Sequence, residues 1–190
     1  IAADSAYSVY VNGRMIGSGL QSARTDTHIF YASCEDTTSY AVDISARGGY
    51  PSVILEIVHC GHTIRSDRSQ GWHCRGRFSA NELADPDPAW SGPFYQEDTR
   101  YWKPPVDGGA NGAGPWGTRK AISPEARWMW SSDPITAEAG SGADSPNHRL
   151  KCRKTTNHPV PDCPSARARY LADYPELQHG DPPFTHFINQ

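Results

Sequence analysis

Apolar and polar side chains alternate at the start of the chain, and the alternation is interrupted by an Asn-Gly pair. Tyr7, Val9 and Val11 fall on one face of an extended segment, because successive side chains of a strand point to opposite sides. The Asn-Gly pair at residues 12–13 favours a type I′ turn, in which both central residues need positive φ. The pattern therefore predicts a β-hairpin over residues 4–19.

Short apolar runs separated by Gly, Pro and polar residues continue along the chain. Runs of this length with period-2 alternation, or with continuous apolar character, are typical of strands. Further strands are predicted over residues 28–34, 39–45, 52–60, 126–132 and 148–154. The run at 52–60 is almost wholly apolar, which indicates a strand buried on both faces. The sequence thus predicts an all-β fold, an antiparallel β-sandwich.

Two regions depart from the strand pattern. Residues 79–125 are rich in Pro and Gly but contain three of the six tryptophans, and a disordered linker rarely carries so many aromatic residues. We expect a long ordered insertion whose aromatic side chains cover the sandwich. Residues 163–177 predict a short helix within a C-terminal extension, 155–190, because Asp162 can cap the first turn and Pro175 ends the pattern.

Charge and hydropathy exclude two classes of partner. The net charge of −3 argues against nucleic acid, which requires a basic face. No apolar run approaches the roughly 18 residues that a membrane span needs. The first residues of the chain are compatible with the mature end left after removal of a signal peptide, so we expect a secreted, extracellular protein.

The five cysteines are enough for two disulfide bonds in a secreted domain. We expect the pairs Cys60–Cys74 and Cys152–Cys163, although spacing alone does not fix connectivity. Cys34 would then be unpaired, or would link two copies of the chain in a homodimer.

Residues 59–74 concentrate three histidines and two cysteines. Imidazole and thiolate are common metal ligands, so a transition-metal site is one interpretation. The spacing matches no standard zinc pattern, and neighbouring residues 59 and 60 of a strand point to opposite faces. The alternative is the disulfide between Cys60 and Cys74, which would stabilise the fold by about 3 kcal/mol through loop closure. The candidate metal ligands are His59, His62 and His73.

Four segments together resemble the galactose-binding-like jelly-roll module of extracellular proteins, such as the carbohydrate-binding β-sandwich of rhamnosidase-type glycosidases. They are YSVYVNGRMIGSG, AVDISARGGYPSVILEIV and the pair GANGAGPWGTR and ISPEARWMWSSD, followed by Cys152-Arg153. The resemblance implies a jelly-roll sandwich over residues 1–154, with 79–125 as an insertion, and a carbohydrate ligand. Such modules often hold a structural calcium ion, for which Asp26, Asp36 and Asp43 are the candidates.

The loop at residues 61–75 is longer and more charged than the short Gly-rich loop of that family. Loops at the end of a sandwich are free to vary, and a small-ligand site combines a few polar groups with an apolar platform. Asp67, Arg68 and Trp72 supply that chemistry; the alternative is a solvated loop with Trp72 folded onto the sandwich. The expected ligand-binding residues are Asp67, Arg68, Trp72, His73, Arg75, Tyr101 and Trp102.

No motif of nucleophilic, zinc-hydrolase, phosphate-loop or dinucleotide chemistry occurs in the sequence. The resemblance to the galactose-binding-like module makes a secreted, non-catalytic, lectin-like protein that binds a glycan or another small polar ligand the first hypothesis. An extracellular structural or adhesive protein is the second. A metal-dependent enzyme that uses the histidine-rich loop is the third.

Overall fold

The chain folds into antiparallel β-sheets in a computed structural model, which describes residues 1–20, 24–34, 37–46, 51–76, 88–113, 116–132 and 148–156. The strands in chain order are β1 Ala2–Ala3, β2 Ala6–Val11, β3 Arg14–Gly19, β4 Thr38–Ala46, β5 Val53–Ile54, β6 Glu56–His59, β7 His62–Arg65, β8 His73–Arg75, β9 Val106–Ala110, β10 Arg127–Trp130 and β11 His148–Thr156. Two single 3₁₀ turns, Arg68–Gln70 and Pro88–Ser91, are the helical elements of the described residues. The predicted C-terminal helix lies outside the described residues.

Two sheets share one hydrophobic core. The five-stranded sheet has the order β3-β2-β4-β11-β8, the four-stranded sheet has the order β1-β5-β10-β9, and β6 and β7 form a separate hairpin. Buried side chains of both sheets belong to the main core cluster, for example Val42 and Leu150 from one sheet and Val53 and Met129 from the other. The all-β sandwich that the sequence predicts is confirmed.

The first hairpin forms as its pattern predicts. Asn12 has φ 50° and Gly13 has φ 82°, the positive values that a type I′ turn requires. Tyr7 and Val11 are buried in the core and Val9 packs against it. Alternation over six residues thus determined which face of β2 is buried.

The strand predicted at residues 28–34 is wrong. The structure shows no ladder of hydrogen bonds there, although the side chains do alternate: Ile29 and Tyr31 are 80% and 76% exposed, while Phe30 packs on the core. The segment is held by its inward side chains and by a disulfide at Cys34. Period-2 alternation reports an extended backbone with one buried side, and it does not require a strand partner.

The apolar run at 52–60 is two strands instead of one. β5 pairs with β1 and β10, whereas β6 leaves that sheet after Leu55 and pairs with β7. Cys60 and Gly61, with φ 53° and 77°, make the turn of this second hairpin. Burial on both faces therefore holds only for the first half of the run, and Val58 is 68% exposed.

Aromatic side chains of the long insertion cover the sheets. Trp90 and Trp102 stack with their ring centroids 6.0 Å apart and form a small buried cluster with Ala41 of β4. Trp116 stacks at 4.9 Å on Trp128 of β10. The insertion therefore supplies a second layer of apolar packing outside the central core.

The disulfide pairs differ from those expected from the sequence. Cys34 bonds to Cys60, and Cys74 bonds to Cys152, so the expected pairs Cys60–Cys74 and Cys152–Cys163 are both wrong. Cys34 has an intrachain partner, which also removes the basis for a homodimer linked through that residue. Cys163 lies outside the described residues. The tertiary structure decides the pairing because β8 and β11 are neighbours that place Cys74 directly opposite Cys152.

Candidate functional site

Polar side chains line the outer face of the five-stranded sheet. Because Tyr7, Val9 and Val11 of β2 point to the core, Ser8 and Tyr10 point outward. The register places Ser8 opposite Asp43 on β4, and Ser45 opposite Arg149 on β11. Three strands that are distant in sequence thus present hydroxyl, carboxylate and guanidinium groups on one surface.

The insertion covers only part of this face. Trp90 and Trp102 lie over its middle, while an open groove of about 340 Å³ remains beside them. Its lining residues are Ala6, Tyr7, Ser8, Tyr10, Asp43, Ser45 and Arg149. The groove is therefore framed by aromatic and polar groups and is accessible from solvent.

An ion pair between Asp43 and Arg149 forms the floor of the groove. The Arg149 Nε atom donates to Asp43 Oδ1 at 2.7 Å, and a second guanidinium nitrogen donates to Oδ2. The hydrogen bond to Asp43 raises the pKa of the Arg149 guanidinium. The Asp43 side chain is only 8% exposed and that of Arg149 20%, so the two planar groups hold each other in a fixed orientation.

Tyr10 forms one wall of the groove. Its ring meets the Trp90 ring edge-on, with centroids 5.7 Å apart, and it is only partly buried. Tyr10 therefore offers both an apolar ring and a phenolic hydroxyl next to the Asp43–Arg149 pair.

Two of the residues expected to bind a ligand are core residues. Trp72 is 0% exposed and its indole Nε1 donates to the carbonyl of Arg65 at 2.9 Å. Trp102 is 3% exposed and is stacked on Trp90. Neither indole can serve as an exposed stacking platform, and the alternative of Trp72 folded onto the sandwich is the one the structure shows.

Asp67 and Arg68 have a local role in the loop. The Asp67 carboxylate accepts a hydrogen bond from the backbone N–H of Ser69 at 2.7 Å and thereby caps the 3₁₀ turn. Arg68 begins that turn and is exposed. The capping bond explains why an acidic residue stands at this position without any ligand.

The other three expected residues lie together at the edge of the same sheet. The guanidinium of Arg75 is 4.8 Å from the ring centroid of Tyr101, which is 46% exposed. His73 Nδ1 bonds to Glu97 Oε2, and the other Glu97 oxygen accepts from buried Arg153 at 2.7 Å. This ion-pair network fastens the insertion to β8 and β11.

The histidines do not converge as metal ligands. His59 and His62 are cross-strand partners on β6 and β7, whereas His73 is on β8 of the five-stranded sheet. Within the described residues, Cys34, His59 and Cys60 do lie close enough to share an ion. Their two sulfur atoms are bonded to each other, however, so neither is free as a thiolate.

Hydrogen bonds occupy both ring nitrogens of His59. Burial raises the pKa of Tyr40 to about 12, so its neutral hydroxyl can donate to His59 Nδ1 at 2.6 Å. Nε2 lies 3.1 Å from the carbonyl oxygen of Ala32 and donates to it. No lone pair of this imidazole is left for a metal ion.

Two of the three candidate calcium ligands, Asp26 and Asp43, are engaged with protein groups. Both carboxylate oxygens of Asp43 accept hydrogen bonds from Arg149, and Asp26 Oδ2 accepts one from the Tyr7 hydroxyl at 2.6 Å. Asp36 lies outside the described residues. A calcium ion at Asp43 would have to displace the guanidinium.

The sequence of β11 carries a signal for the polar face on which the groove lies. Residues 149, 151 and 153 of β11 are basic, and the intervening residues Leu150 and Cys152 are apolar. Such alternation indicates a polar outer face. Which acidic and hydroxyl residues meet these cations depends on strand order, which the sequence does not show.

Comparison with known proteins gives no relative: no family model, no curated protein and no solved structure matches the chain. Within the described residues, no helix has the length and apolar character needed to cross a membrane.

Proposed function

We propose that this protein is a secreted, non-catalytic carbohydrate-binding protein of the lectin type, and that the groove on the outer face of the five-stranded sheet is its sugar site. The observation that carries the proposal is the fixed Asp43–Arg149 pair beside the partly exposed ring of Tyr10. The resemblance of the sequence to galactose-binding-like modules supports the same function. Two disulfide bonds are in keeping with an extracellular location.

The chemistry of the groove suits a sugar. Carboxylate oxygens accept hydrogen bonds from vicinal hydroxyls, and guanidinium N–H groups donate to ring and hydroxyl oxygens. Ser8 and Ser45 add groups that both donate and accept. An aromatic ring supplies the apolar surface on which the C–H face of a sugar packs. Because the Asp43–Arg149 pair is held in place before binding, little side-chain entropy is lost when a sugar binds.

No described group is arranged as a nucleophile with a base in this groove. Asp43 is paired with Arg149, so it forms a salt bridge where a glycosidase would need a second carboxyl group across a cleft. Binding without turnover is therefore the function that this geometry favours.

A glycan array followed by calorimetric titration of the best ligand tests the proposal. Ser45 is exposed on the groove, so Ser45→Phe should block ligand binding. Asp43→Asn should weaken binding about tenfold or more through lost hydrogen bonds, and Tyr10→Ala should do so through lost contact with the ring. Asp98→Asn is the matched control, because Asp98 also pairs in bidentate fashion with an arginine, Arg100, but outside the groove. The control variant should bind like the wild type.

Two results would contradict the proposal at different levels. If no glycan binds, carbohydrate recognition is wrong. If a glycan binds and Tyr101→Ala removes binding while Ser45→Phe does not, the function stands but the site lies at the edge cluster of His73, Arg75 and Tyr101 instead. Circular dichroism of each variant shows that the fold is retained.

A further inference from the structure

A second cavity, of about 280 Å³, lies against the face of the five-stranded sheet that carries Val9 and Val42. Its walls are mainly apolar and come from several elements: Val9 of β2, Val42 of β4, Leu55 and Ile57 near the start of the second hairpin, and the indole of Trp72. All five belong to the main core cluster or pack against it. The cavity is thus a part of the hydrophobic core.

The side chains around this cavity are incompletely covered. Val9, Ile16, Phe30 and Ile57 all pack against the core, yet each remains partly accessible. Protein interiors are normally packed as densely as organic crystals, and an empty apolar void lowers stability in proportion to its volume. The apolar part of this solvent-open cavity holds water poorly and therefore suits an apolar occupant.

One end of the cavity is polar. Asp26 and His28 belong to its lining, and the hydroxyl of Tyr7 joins them, at 2.6 Å from Asp26 Oδ2 and 3.0 Å from His28 Nε2. Burial and the nearby Asp26 carboxylate raise the pKa of Tyr7, so the phenol stays protonated and donates to Asp26.

Glycines of β3 make room for this polar end. A Cβ atom on Gly17 would lie 2.1 Å from His28 Nδ1, and a Cβ atom on Gly19 would lie 2.7 Å from Asp26 Oδ2. The imidazole and the carboxylate therefore sit directly against the backbone of β3, which fixes their positions.

The cavity is open to solvent at one side. Three residues of its lining, Thr27, Val58 and Ala121, are exposed, and Val58 is 68% exposed although it is apolar. These residues mark a mouth through which a small molecule can enter without unfolding of the sheets.

We propose that this cavity binds a small, largely apolar molecule that carries one hydroxyl group, with the hydroxyl directed to the Asp26 carboxylate. An engineered cavity of roughly 150 Å³ holds benzene, so by proportion this one accommodates about eleven non-hydrogen atoms, the size of a bicyclic aromatic alcohol. Of the described residues, Tyr10 alone lines both this cavity and the sugar groove, and the proposal does not depend on the proposed function.

The pair 2-naphthol and naphthalene tests this proposal, since the two probes differ only in the hydroxyl. Titration calorimetry and methyl NMR should show 2-naphthol binding about tenfold more tightly than naphthalene, as expected for one added hydrogen bond to a charged group. Methyl signals of Val9, Val42 and Leu55 should shift on binding. Asp26→Asn should reduce the preference for 2-naphthol and leave the affinity for naphthalene unchanged.

Cavity-filling variants locate the site. Ile16→Phe places extra volume in the cavity and should reduce the affinity for both probes at least tenfold, whereas Met15→Phe, at the adjacent and 57% exposed position, should not. Val9→Leu is a smaller filler that serves if Ile16→Phe fails to fold. The proposal would be overturned if neither probe binds, or if neither filling variant weakens binding. It would also be overturned if Met15→Phe weakens binding as much as Ile16→Phe does.

Discussion

Removal of the Cys74–Cys152 disulfide is predicted to destabilise the protein more than removal of Cys34–Cys60. The two bonds close loops with sequence separations of 78 and 26 residues. On the chain-entropy relation, losing the larger loop costs about 4.5 kcal/mol of unfolding free energy and losing the smaller about 3.5 kcal/mol. Cys74 and Cys152 are also buried, at 2% and 0% exposure, so lost packing adds to the larger figure.

The two loops do not overlap in sequence, so their contributions should add. A variant without either bond is expected to lose about 8 kcal/mol, which is comparable to the whole stability of a typical domain. Such a chain should be largely unfolded even in the absence of denaturant.

The assay is equilibrium unfolding in urea of Cys34→Ala/Cys60→Ala, of Cys74→Ala/Cys152→Ala and of the quadruple variant, each followed by circular dichroism. Peptide mapping under non-reducing conditions first confirms the pairs in the wild type. A reducing agent should lower the stability of the wild type but leave the quadruple variant unchanged, which separates loss of the bonds from loss of packing. A Cys34/Cys60 variant that is less stable than the Cys74/Cys152 variant would contradict the dependence on loop length.

Three further predictions follow from single side chains. Trp72→Ala should lower the free energy of unfolding by about 3–5 kcal/mol, because a wholly buried indole leaves a cavity; thermal unfolding measures it, and a loss below about 1 kcal/mol would contradict the burial. Arg153→Met should cost about 3 kcal/mol in urea unfolding, since it leaves Glu97 without its buried partner; an unchanged midpoint would count against that ion pair. Burial raises the pKa of the Asp4 carboxyl in the folded protein above its ordinary value of 3.8. The stabilisation that comes from this raised pKa is therefore complete below pH 3.8, where the carboxyl is protonated, and is lost as pH rises through the raised pKa. As pH rises from 3.8 through the raised pKa, the free energy of unfolding of the wild type should fall relative to that of Asp4→Asn. A rise over the same pH range would show that the pKa of Asp4 is lowered instead.

Only some of the groove residues can be predicted from the alternation of apolar and polar residues in the sequence. Ser8 and Tyr10 could be assigned to the outer face of β2 from the sequence alone, because Tyr7, Val9 and Val11 form the apolar side. The partner strands could not be assigned in this way. Arg149 meets Asp43 across 106 positions of sequence, and this meeting depends on β11 lying next to β4.

The all-β class and the first hairpin can be predicted from the sequence alone, because period-2 alternation and an Asn-Gly turn are local properties of the chain. Long-range packing sets the disulfide pairs, the division of residues 52–60 at Leu55 and the burial of Trp72. Each of these depends on which elements become neighbours in space. The sequence alone does not show whether an apolar run or a tryptophan faces a sheet, a second hairpin or solvent. Long-range packing selects among these environments.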